Sequence, residues 1–228
     1  MKHPAIALLA TLLSSAIAMP AQAGPVPFGP ALESQGWKPL TFRSLTPMQF
    51  SANGAGQLEI RGTKAASLIW KALDESEWQA RTASWRWRVE SGPPATSLTV
   101  KGGDDRAIAL YFVFARDDAA ARAARGSSSL GTAMWWSSGS ALVYVWGGVG
   151  AKNAVIASPH MGSSGKLMLR QPGSLADGKW QPERADLAAD FRRAFGREPG
   201  PLVGIAISSD NDDTGTSTRA AIEGLGIE

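Results

Sequence analysis

The sequence predicts a mainly β fold, a jelly-roll-like β-sandwich with one or two short surface helices. Many short apolar segments are separated by glycine, proline, asparagine and aspartate, which is the pattern of short strands joined by turns. In residues 82–91, Trp85, Trp87 and Val89 alternate with charged residues, as they do in a strand with one buried face. The segment 106–115 (RAIALYFVFA) has apolar residues on both faces and therefore predicts a central strand covered on both sides.

The remaining elements follow from the same local patterns. Two helices are predicted: an alanine-rich one in residues 116–126, and an amphipathic one in residues 183–196 with Leu187 and Phe191 on one stripe before Gly196. The strands, in chain order, are predicted at residues 38–42, 56–62, 67–73, 82–91, 106–115, 141–148, 153–158, 166–171, 201–208 and 218–227.

The first residues predict export. Lys2 precedes an apolar stretch and Ala21–Ala23 form an A-x-A cleavage signal, so residues 1–23 are predicted to be a secretory signal peptide. Residues 24–39 are predicted to form an extended lead-in, and residues 40–228 a single β-sandwich domain. The sequence contains no cysteine, so a disulfide framework is excluded. We expect a periplasmic or secreted protein that is held together by its core.

Charge and composition exclude several function classes. The formal net charge is +3 and the arginines are scattered among acidic residues, so nucleic acid is not an expected partner. After the leader, no segment has the roughly 18 consecutive apolar residues that a membrane span needs. His160 is then the only histidine, and a lone histidine beside proline is more typical of a surface residue than of a catalyst. The sequence does not indicate an oligomeric state.

The segment 207–221 (ISSDNDDTGTSTRAA) is the most acidic part of the chain. Its D-x-D-x-T pattern matches aspartyl phosphotransferases, but only 14 residues follow Thr214 and none is lysine, so the rest of such a site is missing. The spacing also matches the first half of an EF-hand loop, but Ala221 stands where a bidentate glutamate is needed. The candidate ligands of a calcium site between strands are Asp210, Asp212, Asp213 and Thr214. A polar turn stabilised by its own side chains is the simpler interpretation, and both stay open.

A second acidic segment, residues 101–107 (KGGDDRA), precedes the central strand. Asp104 and Asp105 could act as general acid and base, or as ligands. Lys101 and Arg106 beside them would instead keep them ionised and form salt bridges with them. The segment therefore favours a structural role.

Tryptophan is unusually frequent, with nine residues against two tyrosines. Trp85 and Trp87 are predicted to lie in the core. Trp135 and Trp136 are adjacent, so they cannot both be buried on one face of a strand. One of them is a candidate exposed ring that stacks on a sugar, and the alternative is that it covers an edge of the core.

Several of these segments together resemble a bacterial family known only as domain of unknown function 3047. The resemblance rests on the W-R-W-R-V strand at residues 85–89, the acidic turn at residues 101–107 and the I-x-x-D-x-D-x-T-G loop at residues 207–215. It implies an exported, jelly-roll-type protein and brings no established activity. It also marks Arg86 and Arg88 as carriers of a family motif, and strand pairing could bring them to one edge of the sandwich with the two acidic segments.

These observations favour a non-catalytic, exported β-sandwich that binds a glycan or a component of the cell envelope, with calcium as a candidate cofactor. The alternative is a carboxylate-dependent enzyme, a hydrolase or lyase, that acts on a polysaccharide. No residue is assigned as catalytic, and the sequence names no substrate. The candidate ligand-binding residues are Arg86, Arg88, Asp104, Asp105, Trp135 and Trp136.

Overall fold

The computed structural model describes residues 24–125 and 139–228. The predicted signal peptide (residues 1–23) and the candidate ligand residues Trp135 and Trp136 lie outside these ranges. Within them the elements are β1 (Gly24–Pro25), β2 (Trp37–Thr41), β3 (Gln49–Ala52), β4 (Gln57–Thr63), β5 (Ala66–Ala72), β6 (Thr82–Ser91), β7 (Arg106–Ala115), α1 (Asp118–Arg125), β8 (Gly139–Trp146), β9 (Val155–Ser158), β10 (Gly162–Gln171), β11 (Gln181–Asp186), α2 (Leu187–Phe195), β12 (Leu202–Asp210) and β13 (Ser217–Ile227).

The strands form two sheets that pack face to face. One sheet has six strands, in the order β11–β6–β13–β4–β3, with β1 paired to β13. The other has seven strands, in the order β2–β5–β12–β7–β8–β10–β9. Neighbouring strands are antiparallel except β8 and β10, which are parallel. The predicted mainly β sandwich with two short helices is confirmed.

Aromatic side chains from both sheets meet between the layers. The ring of Trp85 in β6 lies 5.3 Å from that of Tyr144 in β8 and 6.2 Å from that of Phe112 in β7, measured between ring centroids. The rings of Trp87 and Trp146 are 5.8 Å apart. All five side chains are buried. The two tryptophans predicted for the core therefore join the sheets, because large aromatic side chains contribute most of the apolar area that such a core buries.

Each sheet also has an outer face, directed away from this core. Side chains alternate along a strand, so Arg86 and Arg88 of β6 lie on the outer face of the six-stranded sheet. Tyr111 of β7 and Ser208 of β12 lie on the outer face of the seven-stranded sheet, and their hydroxyl oxygens are 3.1 Å apart. The two outer faces are thus on opposite sides of the molecule.

The second predicted helix starts later than expected. Residues 183–186 belong to β11, which pairs with β6, so the prediction of a helix from residue 183 is wrong. Pairing with the sheet outweighs the local helical preference of this segment. Asp186 then caps α2, and its Oδ1 accepts a hydrogen bond from the helix backbone at 2.9 Å. Gly196 ends the helix in a left-handed conformation, with φ of 68°. Neither described helix is long and apolar enough to span a membrane.

Candidate functional site

The two acidic segments of the sequence meet at one end of the seven-stranded sheet. Strands β7 and β12 are antiparallel neighbours, and Arg106 at the start of β7 is the register partner of Asp210 at the end of β12. The residues before β7 and after β12 are therefore adjacent. The backbone N–H and the hydroxyl of Thr214 donate hydrogen bonds to Oδ2 of Asp105, at 2.7 and 2.6 Å.

Three carboxylates converge at this junction. One oxygen from each of Asp105, Asp210 and Asp212 lies within 4.8 Å of the other two. Asp105 is completely buried. Its Oδ1 and the Oδ1 of Asp210 are both buried without a hydrogen-bond donor among the residues of known position. A buried acceptor without a hydrogen-bond donor lowers the stability of the fold, so a proton or a cation bound to this group would be stabilising.

The electrostatics of Asp210 reflect the same crowding. Burial raises the pKa of its carboxyl to about 8; the charge of Arg106 opposes the rise, while hydrogen bonding to Asp212 and the charge of Asp105 add to it. Asp213 next to this group is exposed, and burial together with the charges of Asp212 and Asp105 raises its pKa as well. Negative charge therefore exceeds positive charge at this end of the sheet.

Arg106 is the buried cation beside the carboxylates. Its guanidinium donates to the backbone carbonyl of Asp104 at 2.9 Å, and it lies 3.3 Å from Oδ2 of Asp104 and 3.5 Å from Oδ2 of Asp210. It also donates to the hydroxyl of Tyr111 at 3.0 Å. Burial alone would lower the pKa of Arg106, but Tyr111, Asp210 and Asp104 raise it above its ordinary value. The predicted salt bridge between Asp104 and Arg106 is present, whereas Lys101 is exposed.

His160 contacts the same group from the loop after β9. Its Nε2 lies 2.9 Å from Oδ2 and 3.1 Å from Oδ1 of the buried Asp104. Burial acts to raise the pKa of Asp104, but the hydrogen bond from His160 and the charge of Arg106 lower it below its ordinary value. The His160 side chain is 46% exposed. No local pattern predicts that this half-exposed histidine lies beside the acidic segments, because 56 residues separate it from Asp104.

A pocket of about 360 Å³ lies next to these groups, on the outer face of the seven-stranded sheet. Register partners on neighbouring strands lie on the same face of a sheet. Leu40 of β2 is the partner of Leu68 of β5, which in turn is the partner of Ser208 of β12, so all three lie on this outer face. The polar part of the lining consists of Asp104, Arg106, Tyr111, Ser158, His160, Asp210, Asp212 and Asp213. The apolar part consists mainly of Leu40, Phe42, Leu45, Leu68, Met161 and Leu167.

The arginines of the W-R-W-R-V strand are not part of this site. Arg86 forms an ion pair with Glu223 at 2.9 Å and Arg88 with Glu90 at 3.3 Å. Both guanidinium groups lie over the ring of Trp180, 5.5 and 4.9 Å from its centroid. They project from the outer face of the six-stranded sheet, because the tryptophans between them fill the core. The structure therefore brings the two acidic segments together but leaves these arginines on the opposite side of the molecule.

The family described as "Protein of unknown function (DUF3047)" matches residues 35–225. The chain belongs to this family. The match includes β2 to β12 and most of β13, so both sheets and the acidic junction of this DUF3047 protein lie within the family region. Among curated proteins, no sequence matches the chain.

Several solved structures are similar to the DUF3047 chain over most of its length. The xyloglucanase domain of NopAA, a type three effector from Sinorhizobium fredii, in complex with cellobiose, is 9% identical, with 92% of this chain and 99% of that chain covered and a TM-score of 0.45. The family 11 carbohydrate-binding module of a Clostridium thermocellum cellulosomal cellulase is 9% identical, with 90% and 94% covered and a TM-score of 0.39. Identities and TM-scores this low carry no argument about what the DUF3047 protein binds.

Proposed function

We propose that this protein is an exported, non-catalytic β-sandwich that binds a carbohydrate in the pocket on the seven-stranded sheet, with Ca²⁺ bound at the acidic end of that pocket. The observation that carries the proposal is the mixed lining, in which carboxylate, guanidinium and imidazole groups stand beside aliphatic and aromatic side chains. A sugar needs both, because its hydroxyls require hydrogen-bond partners and its ring presents C–H groups to apolar surfaces. The volume of about 360 Å³ falls in the range of small-molecule sites.

The calcium part of the proposal rests on the three converging carboxylates. Ca²⁺ takes oxygen ligands, and Asp105, Asp210 and Asp212 offer oxygens close enough to share one ion. The two buried Oδ1 atoms without donors are the groups that such an ion would satisfy. The hydroxyl of Thr214 donates to Asp105, so we assign Thr214 to orienting that carboxylate. Asp213 lies beside the ion site in the pocket lining.

A polysaccharide-acting enzyme is the second candidate, because Asp104 and Asp105 do lie beside Asp210. However, Asp104 is engaged by both Arg106 and His160, and Asp105 by Thr214. A glycosidase needs one carboxyl that can give its proton to the leaving group and another that faces the sugar. Release of reducing ends from a polysaccharide to which the protein binds would favour the enzyme over the binding protein.

Glycan binding tests the proposal directly. The mature protein is applied with Ca²⁺ to an array of cell-wall oligosaccharides, and affinity for the bound glycans is measured by calorimetry. Phe42, which lines the pocket and is 38% exposed, is then replaced by alanine. We expect Phe42→Ala to lose about 1.4 kcal/mol, which is roughly tenfold in affinity, through lost apolar contact.

The matched control is Val149→Ala, which removes an apolar side chain that is 64% exposed and outside the pocket lining. It should bind as the wild type does. A silent array, or equal affinities for Phe42→Ala and Val149→Ala, would be evidence against carbohydrate binding in this pocket.

Removal of the predicted signal peptide tests whether the protein is exported. In an expressing bacterium, the protein should be found outside the cytoplasm with Gly24 as its first residue. Edman sequencing of the fractionated protein gives the answer. An intact N-terminus in the cytoplasmic fraction would contradict this part of the proposal.

A further inference from the structure

The three carboxylates are not placed equally with respect to the pocket. Asp105 is completely buried and is not part of the pocket lining, whereas Asp210 and Asp212 are partly exposed and do line it. An ion among the three would therefore have Asp105 on its protein side and the pocket on its open side. The cluster is thus arranged at the edge of the pocket and not within a closed cage.

The three carboxylates also offer too few oxygen ligands to surround such an ion. Ca²⁺ takes six to eight oxygen ligands. Oδ2 of Asp105 already accepts two hydrogen bonds from Thr214, and that leaves Oδ1, which receives no hydrogen bond from the described residues, as its free ligand atom. With at most two oxygens each from Asp210 and Asp212, the three carboxylates supply no more than five of the six to eight oxygens that Ca²⁺ takes. Because Asp210 and Asp212 line the pocket, water or a bound molecule can reach the remaining positions from there.

We propose that two vicinal hydroxyls of a neutral sugar fill these positions, so that the Ca²⁺ ion is itself the group that recognises the ligand. This inference rests on the proposed function and names both the ligand class and its mode of binding. A vicinal diol offers two oxygens at a spacing that one ion can share, and both are hard donors of the kind that Ca²⁺ prefers. The C–H face of the same ring can then pack on Phe42 and Leu68.

Charge favours a neutral sugar over an acidic one. Five aspartates (Asp104, Asp105, Asp210, Asp212 and Asp213) lie at the junction, and Arg106 is the buried cation among them. Even with one divalent ion, carboxylates outnumber positive charges there. A uronic acid would bring a further negative charge into this field, and like charges that are not screened by water repel strongly. We therefore expect uronic acids to bind more weakly than neutral sugars of the same shape.

The test uses the mature protein loaded with Tb³⁺ in place of Ca²⁺. Luminescence lifetimes in H₂O and D₂O report how many water molecules the ion holds. The probes are the methyl pyranosides of mannose, galactose, glucose and xylose, each compared with the same glycoside whose vicinal diol is blocked as an isopropylidene acetal. We expect the best-binding free glycoside to lower the hydration number by about two, one for each hydroxyl, and its blocked form to leave it unchanged.

Two variants identify the site. Asp105→Asn removes the buried carboxylate, and Asp212→Asn removes one at the pocket wall, where folding is less at risk. Both should lower Tb³⁺ affinity at least tenfold and abolish the effect of the sugar. Glu223→Gln, on the outer face of the other sheet, is the matched control and should change neither.

The outcomes separate the inference from the proposed function. If sugar binds equally in Ca²⁺ and in EDTA with an unchanged hydration number, direct coordination is overturned while sugar binding stands. If Tb³⁺ binds but none of the glycosides does, sugar recognition fails together with the inference. If neither Tb³⁺ nor Ca²⁺ binds, the ion site itself is wrong. The inference is supported if the free diol displaces bound water from the ion in the wild type and does not do so in Asp105→Asn or Asp212→Asn.

Discussion

The outer faces of the two sheets differ in how their charged side chains are arranged. On the six-stranded sheet, Arg86 pairs with Glu223, and Glu90 receives both Arg88 and Arg219, at 2.9, 3.3 and 3.0 Å. Arg86 and Arg219 are about half exposed, and the other three side chains are less exposed. On the seven-stranded sheet, the carboxylates converge in a largely buried place with Arg106 as their nearest guanidinium. On the first face every named charge has a partner of the opposite sign, whereas the second has a crowded group of carboxylates.

This difference distinguishes a face that is only solvated from a face that is suited to binding a ligand. Ion pairs on an exposed face cost little and contribute little, so any balanced arrangement of charges suits a solvated sheet. A buried group of like charges lowers stability, and strained features of this kind persist at functional sites. The face with the buried group of like charges is therefore the one that the ligand should use.

Replacing one arginine on each face should reveal the greatest difference in stability between the two faces. Arg106→Met removes the buried partner of Asp104 and Asp210 and should destabilise the protein by about 3–5 kcal/mol, because uncompensated buried charges remain. Arg86→Met, on the exposed face, should cost less than about 1 kcal/mol. Urea unfolding in EDTA measures both. Similar losses for the two variants would mean that the two faces do not differ as described.

Much of the fold could be predicted from local pattern. The alternation in residues 82–91 predicted β6 with its boundaries, since one face of that strand is packed and the other is solvated. β3 was not predicted, because four residues of mixed polarity (Gln49–Ala52) carry no clear period. The sequence of β11 predicts the start of a helix, because its acidic and alanine residues favour helix, and only the pairing with β6 makes it a strand.

The site could be predicted only in part. The two acidic segments were identified as candidate ligands, but their contact depends on β7 and β12 being neighbours, which no local pattern specifies. For this reason Asp105 was missing from the predicted calcium set, although its carboxylate is the buried member of the cluster. One signal was available: Arg106 begins a strand that is otherwise apolar on both faces, and a charged residue there requires a buried partner.

Calcium should stabilise the protein only through the carboxylates on the seven-stranded sheet. At calcium concentrations ten to a hundred times the dissociation constant, binding should stabilise the wild type by about 1.4–2.7 kcal/mol. For a domain of this size, that corresponds to a rise in Tm of about 3–10 °C. Glu223→Gln should keep this rise and Asp212→Asn should lose it, as followed by differential scanning calorimetry in calcium and in EDTA. An unchanged wild-type Tm at millimolar calcium would remove the ion from the proposal.

Neutralising one carboxylate on each face should change the free energy of unfolding in opposite directions. In EDTA, Glu223→Gln should lower the free energy of unfolding by up to about 1 kcal/mol, since it weakens an ion pair with Arg86. Asp212→Asn should raise it by about 0.5–1 kcal/mol, since it relieves repulsion with the buried carboxylate of Asp105.

Chemical denaturation of both variants in EDTA resolves differences of this size when each is compared with the wild type in the same series. If this loop were only a turn, the carboxylate of Asp212 would accept hydrogen bonds from the backbone and would not bind an ion. Asp212→Asn would then lower the free energy of unfolding. A gain in EDTA together with a loss of the calcium response cannot come from such a turn. It is the result expected when a carboxylate is retained for a ligand at the expense of the unliganded fold.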